Sequence, residues 1–163
     1  MNTQNNILEA LGKLKEHLMP FTDHRPIMIG IHSGGVWVAE KLHSQLNLKD
    51  PLGTIDISFY RDDFSRVGLN PTVRGTHLPT SIEDRHIILV DDVLHTGRTV
   101  RAALNELFAY GRPLSVTLAV LLERDGRELP IQADIAGIHM SLGSEHYVKL
   151  TGPEPLALTL LEP

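Results

Sequence analysis

Apolar side chains at Ile7, Leu8, Leu11, Leu14 and Leu18 recur every three or four residues, which predicts an amphipathic helix over residues 3–18 ending before Pro20. The short continuous run 27–31 (IMIGI) predicts a buried strand. The turn HSGG follows, then a second helical pattern with Val38, Leu42 and Leu46 on one face. Residues 55–60 (IDISFY) alternate apolar and polar, as a half-exposed strand does. The stretch 61–80 breaks all periodicity. It mixes charges with Gly68, Pro71, Gly75 and Pro79 and reads as a long loop, of a length that often serves as a lid.

Past that loop the pattern resumes. HIILV (86–90) and SVTLAVLL (115–122) are continuous apolar runs. Between them TVRAALNELFAY (99–110) places Val100, Ala103, Leu104, Leu107 and Phe108 on one helical face, with Gly111 as the expected C-cap and Pro113 beyond. Short runs at 134–140, 147–150 and 156–161 predict three more strands. Continuous apolar strands alternating with amphipathic helices define the expected fold class as α/β. The expected architecture is an open, mostly parallel twisted sheet flanked by helices, in a single domain over residues 1–163.

Composition narrows the possibilities further. A chain of 163 residues suits one domain and can bury roughly 70% of its unfolded surface. The absence of cysteine excludes disulfides and thiolate metal sites and makes a cytoplasmic setting the expectation. Residues 1–18 are polar without a long apolar core, so no secretory signal is expected, and no apolar run approaches the roughly 20 residues that span a bilayer. A formal net charge of −5 disfavours broad non-specific nucleic-acid binding, which needs a cationic face. The nine histidines are scattered without ligand spacing such as HExxH, so no metal cluster is expected.

The candidate chemistry sits in ILVDDVLHTGRTVRAAL (88–104). In an open α/β sheet, ligands bind beyond the carboxyl ends of the strands, where Asp91 and Asp92 are expected. The turn LHTGRT then leads into the helix. Gly97 permits close backbone approach, Thr96 and Thr99 offer hydroxyl donors, Arg98 adds a donor fork, and the helix-start amides form an anion site. Two acids beside an anion site are compatible when the ligand carries a phosphate at one end and hydroxyls at the other. A ribose 5-phosphate meets that requirement.

This stretch closely resembles the signature that binds phosphoribosyl pyrophosphate (PRPP) in type I phosphoribosyltransferases. More narrowly, it resembles the pyrimidine-operon attenuation regulators with uracil phosphoribosyltransferase activity. The likeness continues through IDISFYRDD (55–63), GRPLSVTLAVLLERDGRELPIQADIAG (111–137) and the spacing of GIHSGG (30–35), covering roughly residues 28–140. The resemblance implies that uracil and PRPP give UMP and pyrophosphate. Asp91 and Asp92 would be the catalytic acids facing the ribose, and Leu94, His95, Thr96, Gly97, Arg98 and Thr99 the 5-phosphate turn. Ser33, Gly34 and Gly35, with Arg61 of Tyr60-Arg61-Asp62-Asp63, would bind pyrophosphate; Arg66 and Arg74 are further candidates. Residues 61–80 would form a lid, and a small hood from C-terminal and N-terminal segments (about 134–150) would cover the base, with Arg124, Ile138 and His139 in the base-site region. Mg2+ is the implied cofactor, held mainly through PRPP with no direct protein ligands. A homodimer or higher homo-oligomer, and no membrane, complete the implied partners.

The chain also departs from that pattern. The family usually places Thr-Arg-Gly where Ser33-Gly34-Gly35 stands, so a charged donor to pyrophosphate is missing, and Gly34→Arg is expected to restore turnover. Gly126 stands where histidine is common, Glu123 replaces aspartate, and Ile138-His139 replaces Lys-Asn. Two alternatives therefore accompany the transferase: a weakly catalytic or non-catalytic nucleotide-sensing regulator that binds RNA, and a transferase for another nucleobase. The segment 33–46 offers only Lys41 and His43 as cationic candidates beside His32, which weighs against strong RNA binding.

Overall fold

The structure, a computed structural model, describes residues 3–58 and 75–163. Helix α1 (Thr3–Leu18) and a 3-10 turn lead into β1 (Ile27–Ile31), α2 (Gly34–Leu46) and β2 (Gly53–Ile55). Then come β3 (His86–Leu94), α3 (Arg98–Ala109), β4 (Ser115–Arg124), β5 (Ile135–Met140), β6 (Tyr147–Thr151) and β7 (Ala157–Leu161). Strands β2-β1-β3-β4-β5 lie side by side in one parallel sheet, while β6 and β7 form a separate antiparallel pair.

The strand sequences explain how both faces are covered. Side chains alternate across a strand, so a fully apolar run feeds two cores at once. In β1, Met28 joins the core beneath α1 and α2 with Leu11, Leu14, Val38 and Leu42, whereas Ile27, Ile29 and Ile31 join the opposite core beneath α3 with Val100, Ala103 and Leu107. The register then sets up the site. β1 and β3 pair only as far as Gly30↔Val90, but β3 and β4 continue to Leu94↔Glu123. Residues Asp91–Leu94 thus stand past the last β1–β3 pair, at the open carboxyl edge of the sheet.

Several expectations are corrected. Asp91 and Asp92 lie inside β3 rather than after it, because the strand keeps pairing with β4 through Leu94. The strand expected at 55–60 ends at Ile55, where the Asp56 carboxylate accepts the Ser58 amide at 3.0 Å and its hydroxyl, turning the chain. The strand expected at 134–140 is present: Ile135–Met140 is the edge strand of the central sheet, and β6 and β7 form a separate antiparallel pair. Helix α3 closes at Tyr110 in right-handed conformation, without a glycine cap at Gly111. Leu8 and Phe108, read as members of apolar stripes, are exposed. Residues 61–74 of the expected lid lie outside the described residues, but at its end Thr54 and His77 exchange two backbone hydrogen bonds of 2.8 Å, pinning that end to β2. Among the described residues, no helix is long and apolar enough to cross a membrane.

At the amino edge of the sheet, opposite the acids, Asp50 draws two connections together. Its carboxylate accepts Arg85 Nη2 at 2.5 Å and lies 3.3 Å from Arg25 Nε, while its carbonyl accepts His43 Nε2 at 2.8 Å. The hydrogen bond from Arg85, opposed by burial and aided by the charges of Arg85 and Arg25, holds the Asp50 carboxyl below the usual carboxylate range. A depressed folded-state value stabilises the fold above the unfolded pKa, and that stability fades as pH falls toward the folded value. Asp50→Asn is therefore expected to lower Tm at neutral pH, with the gap to wild type closing below about pH 4. Thermal denaturation across pH checks this.

Candidate functional site

The acids meet the start of α2 at very close range. A Cβ placed on Gly34 would lie 2.1 Å from Asp92 Oδ2, and one placed on Gly35 would lie 2.7 Å from the Val90 carbonyl and 3.0 Å from Asp91 Cα. Only glycine lets the helix start sit this close to β3. Ser33 begins the helix, its carbonyl accepting the amides of Val36 (3.1 Å) and Trp37 (3.3 Å), and the His32–Ser33 peptide is cis. Asp91 is buried and Asp92 is half-buried. Each carboxylate accepts the next residue's amide at 2.8 Å through Oδ1. Asp92 opens onto a cleft of about 480 Å³ that His32, Ser33, Gly34, Lys149 and Leu150 also line.

Directly after the acids, the chain makes the expected turn. Gly97, at φ 96°, precedes α3 in a left-handed conformation, and Arg101 N donates to its carbonyl at 3.0 Å as the first intrahelical bond. Apart from Arg98 N, which the Thr96 hydroxyl holds, the amides ahead of that bond are donors for an anion. Thr96 organises the turn rather than reaching outward: its hydroxyl accepts Arg98 N at 3.2 Å, and its carbonyl accepts Glu128 N (3.0 Å) and Leu129 N (3.2 Å). Arg98 is exposed and pairs with Glu128 at 3.4 Å. Thr99 is half-buried in the first helical turn, whereas the Leu94 side chain belongs to the core, so that residue brings only backbone to the turn. The His95 ring sits over Gly126, where a Cβ would come within 2.8 Å of Nε2. Burial, reinforced by the Arg124 guanidinium and opposed by Glu128 and Asp125, holds its pKa below the ordinary histidine value.

Gly97→Val tests the turn directly. A β-branched residue at this φ is strained by about 1–3 kcal/mol, and its first side-chain carbon would stand 3.3 Å from Ile131 Cβ and 3.4 Å from Leu129 Cβ, pressing on both. Lower Tm and weaker orthophosphate binding are both expected, measured by thermal denaturation and titration calorimetry.

The base-site candidates divide. Arg124 is buried and fully engaged: it donates to the carbonyls of His146 (2.5 Å), Gly143 (3.2 Å) and Asp125 (3.3 Å), and so fastens the 143–146 loop to the end of β4. Ile138 packs on the core beneath α1. His139 is exposed and faces Glu123 at 3.3 Å, and both line a cleft of about 380 Å³ with Arg124 and Gly126. Arg61, Arg66 and Arg74 lie outside the described residues. Sequence reading missed Trp37, Asp56, Ser58 and Lys149, which all line the Asp92 cleft. Asp56 was hidden in a strand-like alternation, and Lys149 sits in no motif.

The family model described as "Phosphoribosyl transferase domain" matches residues 2–154. The chain belongs to the phosphoribosyltransferase family. Among curated relatives, this phosphoribosyltransferase is 63% identical over 139 residues to the "Bifunctional protein PyrR" of Nitrosococcus oceani, covering 84% of this chain and 78% of that protein. It is 58% identical over 157 residues to the protein of the same name from Pseudomonas entomophila, covering 96% and 91%. Among solved structures, the hypoxanthine phosphoribosyltransferase of Trypanosoma cruzi superposes with a TM-score of 0.70 at 19% identity, covering 99% of this chain and 94% of that one. At that identity the superposition speaks for the fold alone, and it agrees with the observed parallel sheet and flanking helices.

Proposed function

We propose that this phosphoribosyltransferase joins uracil to PRPP, giving UMP and pyrophosphate. The observation that carries the reading is the unit Asp91–Thr99, in which two acids at the open sheet edge run directly into a Gly97-led helix start. The 5-phosphate of PRPP would accept amides of the turn, and the ribose hydroxyls would donate to Asp91 and Asp92. The diphosphate would occupy the loop at Ser33, Gly34 and Gly35, and the base would lie toward Glu123 and His139. Uracil N1 forms a bond to ribose C1′ while the C1′–O bond to diphosphate breaks, its electron pair leaving with pyrophosphate and the N1 proton passing to solvent. Charge at C1′ becomes oxocarbenium-like on the way, so the two carboxylates favour the transition state, and positioning of both substrates supplies the larger part of the rate.

Mg2+ fits this cleft as a cofactor carried in by PRPP. Among the described residues, no group of three or more histidine or carboxylate side chains forms a metal cage, while Asp56 and Asp92 offer hard oxygens of the kind magnesium takes in small number. When bound, the ion would neutralise the departing diphosphate. Support for uracil comes from the IDISFYRDD and RELPI segments and from the identity to the PyrR proteins. The reading includes a cytoplasmic setting, consistent with a cysteine-free chain. It also includes self-association, favoured by exposed Leu160 and Leu161 beside an apolar groove between α1 and β5.

The word "bifunctional" in the relatives' name favours a second role, and the resemblance to attenuation regulators makes that role a nucleotide-responsive regulator of pyrimidine transcripts. On α2, however, Lys41 is paired with Glu154 at 3.1 Å and His43 with the Asp50 carbonyl, so that helix does not concentrate cations for RNA. One experiment separates the readings: a panel of radiolabelled bases incubated with PRPP and magnesium, run beside a transcript-binding assay. Label transferred from uracil alone supports the proposal. Transfer from a purine instead, or transcript binding without any transfer, would replace it.

A further inference from the structure

We propose that Lys149, on β6, binds the diphosphate of PRPP and supplies the positive charge that the 32–35 loop lacks. The inference deepens the reading above and rests on it. Three observations carry it. First, the loop has no room for a cation of its own at Gly34, where the first side-chain atom would collide with Asp92 Oδ2. Second, Lys149 lines the same cleft as His32, Ser33, Gly34 and Asp92, and is the one lysine or arginine to do so among the described residues. Third, the hairpin fixes where Lys149 emerges. Its neighbour Leu150 is buried in the core under α1 and α2 with Leu156, and β6 is held in register with β7 by Lys149↔Thr159 and Leu150↔Leu158.

Charge favours the assignment. Asp56 and Asp92 line the cleft, and a side-chain cation beside them offsets their repulsion of a polyanionic leaving group. A lysine ammonium is a compact point charge suited to phosphate oxygens, and charge-assisted hydrogen bonds are the strong ones. UMP carries a 5-phosphate but no diphosphate, so its affinity should not depend on this residue. That difference separates a binding role for Lys149 from a general effect on the fold.

The test is titration calorimetry with magnesium on the full chain, comparing wild type, Lys149→Gln and Lys149→Arg against PRPP, inorganic pyrophosphate and UMP. Lys149→Gln is expected to weaken PRPP and pyrophosphate by about tenfold or more, as loss of one charged contact does. UMP affinity and Tm should stay at wild-type values, because Lys149 is exposed on a strand whose neighbour carries the packing. Lys149→Arg should retain most of the PRPP affinity. In turnover, KM for PRPP should rise while KM for uracil holds. A Lys149→Gln variant that binds PRPP as tightly as wild type overturns the assignment and leaves the transferase reading standing. A wild type that binds neither PRPP nor UMP overturns both.

Discussion

The double variant Asp91→Asn, Asp92→Asn is expected to fold like the wild type and to lose affinity for UMP by about a hundredfold or more, since two charged hydrogen bonds of about 1.5–3 kcal/mol each are removed. Folding survives because the bonds that shape the strand end do not need the charge. Each carboxylate accepts the next amide through Oδ1, and an asparagine carbonyl accepts the same bond. What disappears is the anionic acceptor for ribose hydroxyls at the open sheet edge. Circular dichroism and Tm verify the fold, and calorimetry with UMP reads the loss. Unchanged UMP affinity in a folded double variant would remove the ribose from this position.

Gly34→Arg is expected to lower kcat/KM by about tenfold or more, equivalent to about 1.4 kcal/mol of lost transition-state stabilisation. This reverses what the sequence alone suggests, where arginine at this position looks like a missing pyrophosphate contact. The reversal is steric. A Cβ at Gly34 lies 2.1 Å from Asp92 Oδ2 and 2.7 Å from its Cγ, so any side chain must swing the acid out of place. Gly34→Ala should share most of the loss, because the first carbon is what collides. Steady-state kinetics on both variants, with UMP affinity measured in parallel, distinguishes the two accounts: a rise in turnover with arginine would show that the acid can relax without harm.

Much of the fold was legible because its strands are unusually explicit. IMIGI and the LAVLL of β4 carry no polar alternation, which only a sheet covered on both faces explains, and Val38, Leu42 and Leu46 all reach the core as their spacing requires. The failures have physical causes. IDISFY looked like a strand because alternation ignores an Asp56 side chain that bonds the Ser58 amide and turns the chain. The run at 134–140 was legible as a strand but not as the sheet edge, because a parallel edge strand has the same apolar signature as any other short run. Within the site, Asp91, Asp92 and Gly97 were legible because they lie together in sequence. Lys149 and Trp37 were not, since the first is brought to Asp92 only by a hairpin more than fifty residues later and the second belongs equally to a helix that packs on the core. Arg124 taught the reverse lesson: a charged residue at a strand end can be wholly engaged by backbone carbonyls.

The most direct measurement is a crystal structure of the wild-type protein with UMP. The expected result has the phosphate against the amides of residues 96–99 at the start of α3, with both ribose hydroxyls donating to Asp91 and Asp92 and the base toward Glu123 and His139. UMP bound with its phosphate at Ser33–Gly35, or seated away from the β3 acids altogether, would contradict the site described for this phosphoribosyltransferase.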